Sequence, residues 1–105
     1  MSTIKIRVKR LDGATLIRLL IVHPMETGRK RDETTGELTP AHYIQEVKIE
    51  HNDKLIANCQ LSTAVARDPY LSVRLRGGLD GDTIKVSWTD NLGQSDSAET
   101  VIPSR

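Results

Sequence analysis

Apolar side chains in this chain return at every second residue, and almost nowhere at the spacing of a helix. Ile4, Ile6 and Val8 alternate with Lys5, Arg7 and Lys9, the pattern of a pleated strand with one buried and one wet face. Asp12-Gly13 then turns the chain into its most apolar run, Leu16-Ile17-Arg18-Leu19-Leu20-Ile21-Val22. Pro24 ends that run because it has no N–H to offer a ladder. A polar segment follows to about Thr39, and Pro40 closes it.

The alternation resumes with Tyr43, Gln45, Val47 and Ile49 set against Glu46, Lys48 and Glu50. Asn52-Asp53 stands where a tight hairpin needs positive φ, and Leu55, Ala57, Cys59 and Leu61 continue on the next strand. Ser62 to Arg67 predicts one helical turn capped by Ser62, a crossover between sheets. Leu71, Val73 and Leu75 then alternate again, and Gly77-Gly78 and Gly81-Asp82 bracket a turn before Ile84, Val86 and Trp88. Asp90-Asn91-Leu92-Gly93 predicts a type I turn closed by a left-handed glycine, after which Ala98, Thr100 and Ile102 finish the sheet. Seven short strands without a long helix predict an all-β fold. The expected architecture is an immunoglobulin-like two-layer antiparallel sandwich forming a single domain over residues 1–105.

At 105 residues and 37% apolar, the chain has material for one core. Folding buries roughly 65% of the extended surface of a chain this size. Tyr43, Tyr70 and Trp88 are the only aromatics, so Leu, Ile and Val must build that core. A net charge of +1 gives no long-range steering by the molecule as a whole. Lys5, Arg7, Lys9 and Arg10 form a basic row, but without interleaved aromatics it is expected to be a solvated strand face rather than a nucleic-acid track. A single cysteine, Cys59, excludes an internal disulfide and a cysteine-cluster zinc site; its parity with Leu55, Ala57 and Leu61 points it into the core. No segment reaches the ~20 apolar residues of a membrane span. The first residues lack the apolar stretch of a secretion signal, which on its own reads as cytoplasmic.

The second strand departs from the alternation. Ile17, Leu19 and Ile21 make one face, but the other carries Leu16, Leu20 and Val22 beside Arg18. A sandwich this small has no second core for that outer face, and leaving it bare forgoes roughly 1.5–3 kcal/mol per side chain. Two covers present themselves: the chain's own polar segment from Pro24, or another protein. Tyr70 has the parity opposite to Leu71, Val73 and Leu75, so it also points outward, beside Pro69.

Catalytic chemistry finds little purchase. His23, His42 and His51 are the histidines, and no Ser or Cys lies in a nucleophile-elbow context. No catalytic residue and no cofactor is assigned. His23-Pro24-Met25 followed by His42-Tyr43-Ile44 resembles the iron-binding region of superoxide reductases, an immunoglobulin-like family whose iron is held by four histidines and a cysteine. In that resemblance His23 and His42 occupy two ligand positions. The family's C-terminal cysteine-asparagine-x-histidine segment has no counterpart in Trp88-Thr89-Asp90-Asn91-Leu92-Gly93, and no histidine precedes His23. Two imidazoles do not make a five-ligand centre, so no metal is assigned. A stand-alone recognition sandwich is a third possibility.

A resemblance over nearly the whole chain is to the SoxZ family. It is carried by His23 to Gly28, Pro40 to Ile44, Pro69-Tyr70 and Trp88 to Gly93, in the family's order and approximate spacing, with Asp68 where the family often has asparagine. The resemblance implies a non-catalytic subunit of a sulfur-oxidation carrier complex. Its partner, a SoxY-type chain, holds sulfur intermediates on a cysteine at the end of a flexible arm and presents them to the enzymes of thiosulfate oxidation, which contact the complex transiently. The implied assembly is a heterodimer or heterotetramer, without nucleic acid or membrane. The implied location is the periplasm, reached by export together with the signal-bearing partner. Cys59, mid-strand, is not the carrier thiol. The expected partner-binding residues are Leu16, Leu20 and Val22 on the second strand, Pro24, Met25, Arg29 and Arg31 on the following loop, and Tyr70. Met25 offers a flexible contact or local packing at a strand end. Arg29 and Arg31, with Lys30, carry charge suited to an anionic sulfur group or to solvent.

Overall fold

The computed structural model describes residues 2–103. Seven strands form, in the order expected: β1 (Ile4–Leu11), β2 (Ala14–Ile21), β3 (Ile44–His51), β4 (Lys54–Gln60), β5 (Tyr70–Arg76), β6 (Thr83–Asp90) and β7 (Ser95–Val101). They pair antiparallel in two sheets, β1-β2-β5 and β4-β3-β6-β7. No helix among the described residues is long and apolar enough to cross a membrane. This is the immunoglobulin-like sandwich that the strand spacing predicts.

The inner faces follow the period-2 rule. β2 contributes Ile17, Leu19 and Ile21, β3 contributes Ile44, Val47 and Ile49, and β6 contributes Ile84, Val86 and Trp88, all buried. Each aliphatic side chain removed from water there is worth about 1.5–3 kcal/mol. Thr15 is also fully buried, and its hydroxyl donates to the Gly77 carbonyl at 2.7 Å. Gly78 lies against it at φ +92°, and a Cβ there would come within 2.6 Å of the Thr15 Oγ1. At one edge Thr3 fastens the start of β1 to the second sheet. Its amide and hydroxyl both donate to Asp96 Oδ2 at 2.8 Å, and the Trp88 indole donates to its Oγ1 at 3.0 Å.

Both hairpin expectations hold. Asn52 and Asp53 have φ of 48° and 68°, the primed-turn geometry that a right-handed strand twist favours. Gly93 sits at φ +81° and its amide donates to the Asp90 carbonyl.

Three local expectations change. A register irregularity between Ile44 and Glu46 places Ile44 opposite Asp90 and Glu46 opposite Thr89. Ile44 therefore faces inward, while Gln45, expected inside, is exposed. A second irregularity sets Ile49 opposite Ala57 but Glu50 opposite Leu55, so Ile56 is the extra residue of a bulge. Leu55 is turned out, 49% exposed, and Ile56 packs on the core beside Ala57, Cys59 and Leu61. Cys59 does face the core, half-buried, as a free thiol. Ser62 to Arg67 closes a single hydrogen-bonded turn, not a helix: the Val65 amide meets the Ser62 carbonyl at 3.2 Å, and Ser62 Oγ accepts from the Ala64 amide. The segment does carry the chain from one sheet to the other.

The polar stretch after β2 folds back on itself as an arm. Isolated bridges join Glu26 to His42 and Arg31 to Leu38, and the Thr39 amide donates to the Lys30 carbonyl at 2.7 Å. Asp32 turns the tip: its carboxylate accepts from the Thr34 and Thr35 amides, which hold its pKa below the ordinary value of 3.8. Residues 29–38 are all exposed. The molecule measures 54 × 24 × 21 Å, longer than its strands of seven or eight residues can span at about 3.3 Å per residue.

Candidate partner-binding surface

Two places on this frame gather the residues singled out in the sequence: the base of the arm and the outer face of the β1-β2-β5 sheet.

At the base of the arm, β2 ends and β6 ends side by side, which brings together His23, His42 and Asp90. Asp90 is buried, and its carboxylate is fully used. Oδ1 accepts from the Leu92 and Gln94 amides at 3.0 and 2.8 Å. Oδ2 accepts from His23 Nε2 at 3.1 Å and His42 Nε2 at 2.8 Å. Burial works to raise the Asp90 carboxyl, but the hydrogen bonds from His23, the Gln94 amide, His42 and the Leu92 amide outweigh it and hold the pKa below 3.8. His23 stacks edge-on to Trp88, with ring centroids 5.2 Å apart.

The ligand atoms of His23, His42 and Asp90 lie within 4.8 Å of one another, so a metal reading of the superoxide reductase kind can be tested on the donors themselves. The Met25 amide donates to His23 Nδ1 at 3.1 Å, which leaves that nitrogen without a proton. The ring proton then sits on Nε2, aimed at Asp90. A metal on Nε2 would strip the ring of both protons, whereas metal-bound histidines ordinarily keep an N–H on the far nitrogen for a second acceptor. His42 Nε2 likewise faces two oxygens, Asp90 Oδ2 and Gln94 Oε1. The donor set fits a hydrogen-bonded clasp and does not fit an iron centre. Asn91 extends the clasp, its side chain accepting from the Tyr43 amide and donating to the Ala41 carbonyl, both at 2.9 Å.

Met25 belongs to this clasp. It is only 5% exposed, at φ +51°, and its sulfur accepts from the Ile44 amide at 3.3 Å. Its expected role as a partner contact is therefore corrected: the side chain is consumed by the core. The physical reason is the sharp left-handed turn after Pro24, which swings residue 25 inward and is held there by the His23 and His42 hydrogen bonds.

The other expected residues are at the surface. Directly paired residues of antiparallel strands share a side of the sheet, so the register gives the outer face in rows. Lys5, Leu20 and Tyr70 form one row; Arg7, Arg18 and Ser72 the next; Lys9, Leu16 and Arg74 the third; Leu11, Ala14 and Arg76 the last. Leu16 and Leu20 are half-buried by their neighbours, and Val22 and Tyr70 are 51% and 59% exposed. A shallow groove of about 340 Å³ lies between Lys5, Arg7, Arg18, Leu20 and Tyr70, and no residue of the arm lines it. Of the two covers considered for this face, the arm does not supply one for the groove. Pro24, Arg29 and Arg31 are exposed on the arm; Arg31 donates within the arm, to the Gly36 carbonyl.

The sequence pattern found the outer apolar face but not the clasp, because Asp90 registers in sequence only as the first residue of a turn. Its signal is the company it keeps: an Asp opening a hairpin accepts its own turn's amides, and the remaining oxygen is free for whatever packs above it.

A search of curated proteins returned no match. The family model described as "Sulphur oxidation protein SoxZ" matches residues 4–101, from the first strand to the last. With that coverage, this chain belongs to the SoxZ family of sulfur-oxidation proteins.

Proposed function

We propose that the chain is the non-catalytic half of a sulfur carrier complex, pairing with a SoxY-type chain whose C-terminal cysteine bears the sulfur intermediates. In this reading the protein presents the loaded partner to the enzymes of thiosulfate oxidation and contributes no reacting group. The complex works in the periplasm, exported together with the partner that bears the signal.

The observation that carries the reading is the apolar line Leu16, Leu20, Val22 and Tyr70, on the outside of the β1-β2-β5 sheet. Apolar side chains gathered on one exposed face mark interaction sites, and a tyrosine such as Tyr70 is a favoured anchor in them. Pro24 at the root of the arm and Arg29 and Arg31 along it follow that line in sequence and are exposed, and in this reading they contact the partner as well. In this reading the clasp is structural, with the Nε2 atoms of His23 and His42 held on Asp90.

The test is co-purification of the chain with the SoxY-type chain of the same cell. Leu20→Asp places a charge in the middle of the apolar line and is expected to abolish the heterodimer while the isolated domain keeps its β-sheet circular dichroism. Undiminished pairing by Leu20→Asp would reject this surface.

A further inference from the structure

The same sheet face carries a second feature that its apolar line does not explain. None of β1, β2 and β5 contains an Asp or a Glu. Six cations, Lys5, Arg7, Lys9, Arg18, Arg74 and Arg76, share the outer side of these strands. None of the six is in an ion pair among the described residues; the neighbouring Arg10, of opposite parity, is the one that finds an acid, Asp80. Arg7 and Arg18 stand directly opposite each other across the ladder, a like-charge arrangement that is unfavourable in the isolated sheet. With 14 acids in the chain against 15 Lys and Arg, this concentration of one sign on one face is a segregation rather than an average.

We propose that the partner surface docking on this face is acidic: an apolar ridge that meets Leu16, Leu20 and Tyr70, with carboxylates placed to pair with the cations of β1 and β5 on either side and with Arg18 between the two leucines. The inference rests on the pairing reading above and adds the chemistry of the partner. Bare cations beside apolar side chains raise the encounter rate with an oppositely charged surface and reject wrong partners. The leucines argue for a protein rather than a nucleic acid, since phosphates have no use for an apolar centre and Tyr70 is the only aromatic on the face to stack a base.

The experiment measures association of the chain with its SoxY-type partner by stopped-flow fluorescence at about 0.05 M and about 0.5 M salt, where screening lengths differ severalfold. The expected result is an association rate that falls about tenfold with salt. Arg7→Glu with Arg18→Glu is expected to slow association by a similar factor at low salt, with reversal of acidic residues on the partner restoring the rate. That pair keeps like charges opposite each other, so folding is not the variable, and thermal melting checks it. Lys54→Glu, on the other sheet, is expected to leave the rate unchanged. Pairing that ignores both salt and the Arg7/Arg18 reversal, yet is lost in Leu20→Asp, overturns the acidic partner and leaves the apolar interface standing. No pairing at either salt rejects both. Displacement of the partner by a short duplex DNA, relieved by the same double reversal, overturns the proposal in favour of a nucleic-acid face.

Discussion

The outer face of the four-stranded sheet places Lys85 between Glu50 and Glu99 in one cross-strand row, and Lys48 bridges to Glu46 at 3.4 Å. The outer face of the three-stranded sheet sets arginine opposite arginine and leucine beside lysine, with no carboxylate in its strands. Apart from Leu55 and Val101 near its ends, interleaved charges and small polar residues make the first face content in water. The second is arranged as half of something: its apolar residues want cover and its cations want counter-charge. Two sheets of similar length and the same inner chemistry thus differ in what their outsides are for, and the sandwich core is indifferent to that difference.

Removing Asp90 tests whether the clasp, and not the outer face, holds the arm in place. Asp90→Ala leaves four donors without their acceptor, two of them imidazoles, and is expected to cost about 3 kcal/mol. A calorimetric melt should fall by roughly 15 °C, while any pairing through Leu20 survives at temperatures where the variant is folded. The pH dependence has a definite sign. Because the folded Asp90 carboxyl titrates below 3.8, its contribution is fully present above that value and is lost as the pH falls through the depressed folded value. Acid unfolding followed by tryptophan fluorescence should therefore be shallower in Asp90→Asn than in the unaltered chain.

On the three-stranded side, Leu20→Asp should weaken pairing about a hundredfold or more, as truncating a central anchor does, and shift the melting temperature of the isolated chain little. A pair of substitutions one residue apart then tests the bulge on the four-stranded side. Ile56→Asp is expected to cost about 2 kcal/mol in urea unfolding, and Leu55→Asp to stay within about 0.5 kcal/mol; simple alternation predicts the reverse. The smallest effects separate the two faces most cleanly. Arg7→Gln relieves the clash with Arg18 and should stabilise the isolated chain by about 0.5 kcal/mol or less. Lys48→Gln gives up the pair with Glu46 and should lower stability by no more than that.

Much of this was legible in the residues. Alternation located six of the seven strands and the apolar run before Pro24 the other, and Asn52-Asp53 and Gly93 announced their turns. Leu16, Leu20 and Val22 were recognisable as an outer apolar line because Ile17, Leu19 and Ile21 already filled the inner one. What alternation does not encode is a change in its own count. A bulge at Gln45 or Ile56 adds one residue to one strand, and only the partner strand's register reveals it. Met25 escaped for a related reason: a left-handed residue after a proline reverses the side on which its side chain emerges. The meeting of His23, His42 and Asp90 depends on β2 and β6 ending at the same height in different sheets, which no local pattern carries.

The arm has a fixed root and a free tip. Its base is anchored by the Asp90 carboxylate and the Asn91 amide, whereas the hydrogen bonds of Thr34, Thr35 and Gly36 go only to Arg31, Asp32 and Glu37 within the arm itself. Extra residues or a reporter group grafted at Thr34 would ride on the exposed tip of the arm, reporting on whatever approaches that end of the protein without disturbing either layer.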